Sequence, residues 1–260
     1  SQDNVGIKAV VSHGEMTSHG SVGSNQGTSV TVSALFGNFP ARKKFLKSPV
    51  SESGRIRSLV QKYAMICPSI SFDLRQDIGR NFITSGSGDI RDVMAAVYGS
   101  EFASDMIVIP RFQEDQSWTG PVVSGIIGIP SQHRANRSHI NLFVNGRLVQ
   151  NKTISYALQQ AYRGFMPERR FPIGLLDIRV SSEQVDVNVH PAKTEIRFVN
   201  ENQVFSLVQK TVRDCLLEFA PVPTVKESRN TFDLSRSANQ YSVWPRSRLS
   251  PTIATNYHGM

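Results

Sequence analysis

Strand-like and helix-like apolar patterns alternate through the second half of this chain, and that alternation limits it to a mixed fold. Short apolar runs typical of strands occupy residues 106–110, 122–129, 139–144, 173–180 and 185–189. Between and after them, residues 153–163 and 202–219 carry apolar side chains at helical spacing. The order of these elements along the chain predicts an α+β architecture.

The first part of the chain has the same mixed character but separates from the second by a change of pattern. Residues 5–12 and 29–35 predict strands on either side of a Gly/Ser/His-rich stretch, and an amphipathic helix ends before Pro68. Two short strands are expected within residues 69–85. From Gly86 the pattern changes, and Asp89 is a suitable N-cap for a helix that Gly99 closes. We therefore predict domains at residues 1–85 and 86–220.

The last forty residues have no apolar period. Four prolines punctuate a Ser/Arg/Asn-rich segment there, so residues 221–260 are predicted to form a disordered linker. The other end lacks an initiating Met and starts almost at once with strand-like alternation, which favours a piece cut from a longer chain. No apolar run is long enough for a membrane span or a signal peptide.

Charge and cysteine content point to a class of partner and a compartment. The formal charge is +8, which favours polyanions such as nucleic acid or nucleotide phosphates, although mild basicity also serves solubility. Cys67 and Cys215 both lie in apolar helical patterns. Two thiols in such positions favour buried thiols over a disulfide and a reducing compartment over a secreted one, and they offer no metal site.

Three segments carry most of the functional information. Residues 27–46 read GTSVTVSALFGNFPARKKFL, residues 143–147 read FVNGR, and residues 186–198 read DVNVHPAKTEIRF. The second leads through a basic hairpin into a helix N-terminus, an arrangement that can hold phosphate. The third presents Lys193 on a Pro-stiffened loop, where its charge could reach a terminal phosphate. Each segment alone also fits an ordinary surface loop or turn.

Together and in this order, the three segments closely resemble the MutL mismatch-repair family, and the resemblance extends over roughly residues 1–218. It implies the last part of an ATPase domain of the class shared with gyrase, Hsp90 and histidine kinases (GHKL), an α/β sandwich. A domain like domain 2 of ribosomal protein S5 would follow it. The resemblance also implies ATP and Mg²⁺ as cofactors of the parent protein, with DNA and a MutS-type mismatch recognition protein as partners. It further implies a homodimer of the parent in the bacterial cytoplasm, with no membrane contact.

Site residues follow from the resemblance position by position. Lys193 matches the lysine that senses the γ-phosphate, and Gly27 and Thr28 match the pair on the strand beneath the adenine. Lys152 falls at a basic position of the family's DNA groove, with Arg147 close by. The DNA assignment also extends to the basic cluster after the ATPase core, which consists of Arg42, Lys43 and Lys44. Gln150, Asn151 and Lys152 depart from the family's two arginines around an Asp, which puts the groove geometry in doubt.

Several family motifs have no counterpart in this sequence. They are the general-base Glu, the magnesium-binding Asn, the Asp-x-Gly adenine motif and the Gly-rich lid, all of which precede the first segment in the family. The chain alone is therefore expected to bind neither ATP nor Mg²⁺ and to hydrolyse ATP negligibly, whereas the resemblance implies that the parent protein is an ATPase.

Three alternatives remain open at this point. A nucleotide-independent S5-like nucleic-acid-binding module would explain the charge but not the loop from His190 to Lys193. A type II topoisomerase ATPase–transducer fragment would normally carry its lysine in a Gln-Thr-Lys loop. A purely structural dimerisation piece would need an exposed apolar face that the sequence does not locate.

Overall fold

The computed structural model of the 260-residue chain describes residues 5–110, 120–187 and 195–219. Within them, thirteen strands and six α-helices follow in this order: β1 (Val5–Ser12), β2 (Glu15–Gly23), α1 (Pro40–Lys44), α2 (Pro49–Ile66), β3 (Asp73–Leu74), β4 (Phe82–Ile83), α3 (Ile90–Tyr98), α4 (Ser100–Ser104), β5 (Ile107–Ile109), β6 (Val122–Ile127), β7 (His133–Arg134), β8 (Ile140–Val144), β9 (Arg147–Val149), α5 (Lys152–Ala161), β10 (Phe171–Pro172), β11 (Gly174–Arg179), β12 (Val185–Asp186), β13 (Arg197–Phe198) and α6 (Glu201–Phe219). The fold is α+β, as predicted. None of the described helices is long and apolar enough to cross a membrane.

A five-stranded mixed sheet organises the described part of the chain, with strand order β5-β6-β11-β8-β9. Strand β11 runs antiparallel to β6 and parallel to β8, and places Asp177 between Ser124 and Phe143. Gly125 on β6 makes this packing possible. Its φ of 145° is one that L side chains rarely adopt, and an added Cβ would overlap the carbonyl oxygen of Leu175.

Helices α5 and α6 cover one face of this sheet. Their apolar stripes meet the inward side chains of β6, β8 and β11, and Leu158, Val208 and Val212 are fully buried there. Tyr162 follows α5 and is also buried, and its hydroxyl donates to the carbonyl of Gly128. Both helices were predicted from their periodicity, because a stripe at helical spacing needs a face to pack against.

The other face packs against the C-terminal end of α2 and against α3. Met65 and Met94 share a core with Phe143, and the ring of Tyr63 meets that of Phe143 edge-on at a centroid distance of 5.9 Å. Only this end of α2 is buried, since Ile56 and Leu59 are about half exposed. The domain boundary near residues 85–90 stays a prediction.

The turns and caps of this region follow the sequence. Asn145 and Gly146 have φ values of 49° and 76° and form the predicted tight turn between β8 and β9. The side chain of Asp89 accepts a hydrogen bond from the backbone N–H of Arg91 at 2.8 Å, which confirms the predicted cap of α3. Cys67 and Cys215 are free and half-buried.

Two predictions for the first part of the chain are wrong. The Gly/Ser/His-rich stretch contains a strand, β2, which pairs with β1 through a turn in which His13 and Gly14 have positive φ. Conversely, residues 29–35 form no strand, and Val30 is 81% exposed. The alternation of Val30 and Val32 suits a half-buried strand, but a strand also needs a neighbour for its N–H and C=O groups. None of the described residues pairs with this segment.

Candidate nucleic-acid interface

The β8–β9 turn is held rigidly against the end of β11. The side-chain nitrogen Nδ2 of Asn145 donates to the carbonyl of Val180 at 2.9 Å, and the side-chain oxygen Oδ1 accepts from the Val180 N–H at 3.0 Å. The turn therefore cannot swing away from the sheet without losing both bonds. Arg147 begins β9 opposite Val144 and is exposed. Its backbone is therefore held by the sheet while its charged side chain lies in solvent.

The first turn of α5 lies immediately beyond this hairpin. Asn151 is the N-cap, and its side chain accepts from the N–H of Ile154 at 2.8 Å and donates to Glu201 at 3.4 Å. Lys152 is the first helical residue and is exposed. The helix dipole adds partial positive charge at the position where Lys152 presents its ammonium group, so this end of α5 attracts anions.

Two further cationic side chains line a cavity of about 340 Å³ at this end of α5. Lys62 from α2, Arg137 and Lys152 line it, together with one carboxylate, that of Glu195. Arg137 is held in position, since its guanidinium stacks 5.2 Å from the ring centroid of Phe171 and donates to Gln159 at 3.4 Å. We call this space the cationic cavity. Among its described lining residues, three positive groups against one negative group make it a suitable site for phosphate.

Lys62 is partly buried, and an anion would stabilise its charged form. Burial lowers the pKa of its ammonium group, because the charged form loses part of its hydration. A phosphate oxygen in the cationic cavity would compensate that loss. Sequence reasoning missed Lys62 and Arg137, and no local signal separates them from the many solvent-exposed basic residues of this chain.

The other predicted DNA residues lie elsewhere. Arg42, Lys43 and Lys44 form the last turn of α1 and are all exposed, and Arg42 stacks on Phe39 at 5.2 Å. They do not line the cationic cavity. Their assignment to DNA stays a prediction.

The predicted nucleotide site is not assembled by the described residues. Gly27 and Thr28 lie in an exposed stretch outside any strand, where Gly27 has a φ of 136°. Lys193 and the predicted linker at residues 221–260 lie outside the described residues. Among the residues described, no group of three or more His, Cys, Asp or Glu side chains could hold a metal ion.

Comparison with known proteins identifies the family. Residues 94–217 match the family described as "DNA mismatch repair protein, C-terminal domain". The chain is 37% identical over 224 residues to the DNA mismatch repair protein MutL of Anoxybacillus flavithermus, covering 86% of this chain and 36% of that protein. It is 40% identical over 221 residues to MutL of Geobacillus sp., covering 85% of this chain and 35% of the relative. The chain thus spans little more than a third of the curated relatives it matches.

Solved structures support the same fold. The crystal structure of the N-terminal domain of a DNA repair protein matches with a TM-score of 0.66 at 23% identity, covering 83% of this chain and 69% of that one. The ATPase domain of the mismatch repair endonuclease MutL from Aquifex aeolicus matches with a TM-score of 0.52 at 17% identity, covering 81% of this chain and 72% of the other. From the sequence matches and the shared fold together, the chain belongs to the MutL family of DNA mismatch repair proteins.

Proposed function

We propose that this chain is part of an ATP-dependent mismatch-repair protein and supplies one wall of its DNA-binding groove. The observation that carries the proposal is the cationic cavity, where Lys62, Arg137 and Lys152 converge beside the N-terminus of α5. Arg147 extends the positive surface along the adjoining hairpin. The names of the relatives support a role in mismatch repair. Phosphate contacts of this kind bind DNA without reading its sequence.

Duplex binding at several salt concentrations tests the DNA role. Fluorescence anisotropy with a labelled duplex should show affinity that falls steeply as salt rises from about 50 to 200 mM, because each phosphate contact releases counterions. Lys152→Glu should weaken binding to all sequences alike and reduce the salt slope by about one. Lys210→Glu, which makes the same charge change on the exposed side of α6, is the control. Equal losses in both variants would show that only net charge matters.

We further propose that Lys193 contacts the γ-phosphate of ATP and that Gly27 and Thr28 lie near the adenine. ATP and Mg²⁺ would act in the whole protein, which would work as a homodimer alongside a MutS-type mismatch recognition protein in the bacterial cytoplasm. Support comes from the sequence resemblance and from the Aquifex relative, which is described as an ATPase domain. The basic cluster of Arg42, Lys43 and Lys44 on α1 would add DNA contacts outside the cationic cavity.

Nucleotide titrations of the full-length protein test the Lys193 assignment. Lys193→Ala should weaken ATP binding by about tenfold or more, since a charge-assisted hydrogen bond contributes roughly 1.5–3 kcal/mol. ADP affinity should change little, because ADP lacks the γ-phosphate. Equal losses for both nucleotides would instead indicate a general structural role, and no loss for either would remove Lys193 from the site.

A further inference from the structure

A second cavity adjoins the cationic cavity across Lys62. It has a volume of about 270 Å³ and lies between α2, the end of α3 and the start of β8, with Tyr98, His139 and Asn141 in its wall. Lys62 and Ser138 line both cavities. A ligand with a phosphate in the first space can therefore place an attached group in the second. We call this second space the amide cavity.

Asn141 leaves one hydrogen-bonding position open in the amide cavity. The residue is only 3% exposed, and its side-chain amide hydrogen-bonds with the Tyr98 hydroxyl and donates to the carbonyl of His139 at 3.5 Å, while its Oδ1 has no hydrogen-bond partner. A buried amide oxygen without a donor is unfavourable. A ligand that carries an N–H group would satisfy it.

Aromatic rings form the adjacent wall. The ring of Tyr98 lies 5.8 Å from that of His139 and 5.5 Å from that of Phe102. Burial raises the pKa of the Tyr98 hydroxyl. Burial first, and then the charges of Arg134 and Lys62, lower the pKa of the His139 imidazole. Both rings are therefore uncharged near neutral pH, so the wall suits a flat, polar and uncharged group.

We propose that the amide cavity receives an unpaired nucleobase whose phosphate lies beside Lys62 in the cationic cavity. A cavity of about 150 Å³ already holds benzene, so the available space suits a single-ring base. Amide side chains recognise base edges, and unpaired bases stack on aromatic side chains including His. In a duplex each base is stacked between its neighbours, so only an unpaired base can leave the stack and lie against these rings. The inference rests on the proposed DNA role and names single-stranded DNA as the ligand.

The test compares two single-stranded oligomers of about ten nucleotides, a length within the usual site size for such binding. One is a thymidine oligomer and the other carries abasic sugars on the same number of phosphates. Fluorescence anisotropy with the full chain should show the thymidine oligomer binding about tenfold more tightly, which is the effect expected from one stacked base. Asn141→Leu and His139→Ala should each reduce this preference to about twofold or less. Lys62→Met should weaken both oligomers by a similar factor.

The outcomes separate this inference from the proposed function. Equal binding of the two oligomers by the wild-type chain, or an unchanged preference in both the Asn141 and His139 variants, would overturn the inference without contradicting the proposed DNA role of the cationic cavity. Failure to bind either oligomer or a duplex would overturn the DNA role as well. If Asn141→Leu does not fold by its melting curve, His139→Ala decides, because that side chain is only half-buried.

Discussion

His139 lies immediately before β8, where burial and the nearby charges of Arg134 and Lys62 lower the pKa of its imidazole. The folded state therefore disfavours the protonated ring, and the unfolded chain binds more protons below about pH 6.5. Stability should decrease as pH falls from that value through the lower pKa of the folded state. Urea denaturation between about pH 7 and 5.5 should show this loss, and His139→Gln should reduce it. His19→Gln, on the exposed strand β2, should leave it unchanged; equal effects of the two variants would contradict the assignment.

Tyr162 gives a second prediction at the level of single residues. It is 1% exposed, and its hydroxyl donates to the carbonyl of Gly128. Tyr162→Phe would leave that carbonyl without its donor in the core, so the free energy of unfolding should fall by about 1–3 kcal/mol. Tyr156→Phe is the matched control on the half-exposed surface of α5, where a change within about 0.5 kcal/mol is expected. Urea melts that give the same stability for both variants would show that the hydrogen bond contributes nothing.

Replacing glycine by alanine should have opposite effects on stability at two positions, one in a strand and one in a helix. Gly125 sits in β6 with a φ of 145°, and an added Cβ would overlap the Leu175 carbonyl of β11. Gly125→Ala should therefore cost at least about 2–3 kcal/mol, because the two strands would have to separate. Gly54 lies inside α2 with nothing within 4 Å of an added Cβ, and Gly54→Ala should stabilise the chain by about 1 kcal/mol. Thermal melting of both variants measures this, and a stable Gly125→Ala protein would refute the close strand contact.

At the scale of the whole molecule, the net charge and the motifs that the sequence contains determine which activities we expect of the chain. Its charge of +8 attracts polyanions, but the family's general-base Glu and magnesium-binding Asn are absent from the sequence. We therefore expect residues 1–260 to hydrolyse ATP no faster than the background reaction. Phosphate release measured with the purified chain tests this. Turnover that disappears in Lys193→Ala would mean that the chain holds a catalytic centre the sequence motifs do not reveal.

Much of the region between residues 86 and 219 was predictable from its sequence alone. Caps, turns and apolar periods act over a few neighbouring residues, so Asp89, the Asn145–Gly146 turn and the stripes of α5 and α6 each signal their own structure. The same local rules failed at residues 29–35, where strand formation depends on a neighbour and not on alternation. The family resemblance, in turn, predicted a basic position at Lys152 but no cavity around it.

Only the tertiary structure decided which side chains share a site. Lys62 comes from a helix on one side of the sheet, Arg137 from the segment before β8, and Lys152 from the start of α5. Asn141 gave no signal in the sequence because its significance lies in a buried, unpartnered oxygen. The sequence by itself determined the family and most of the elements between residues 86 and 219, since short segments carry the signals for both. The two cavities arise from packing between distant segments, which no local pattern encodes.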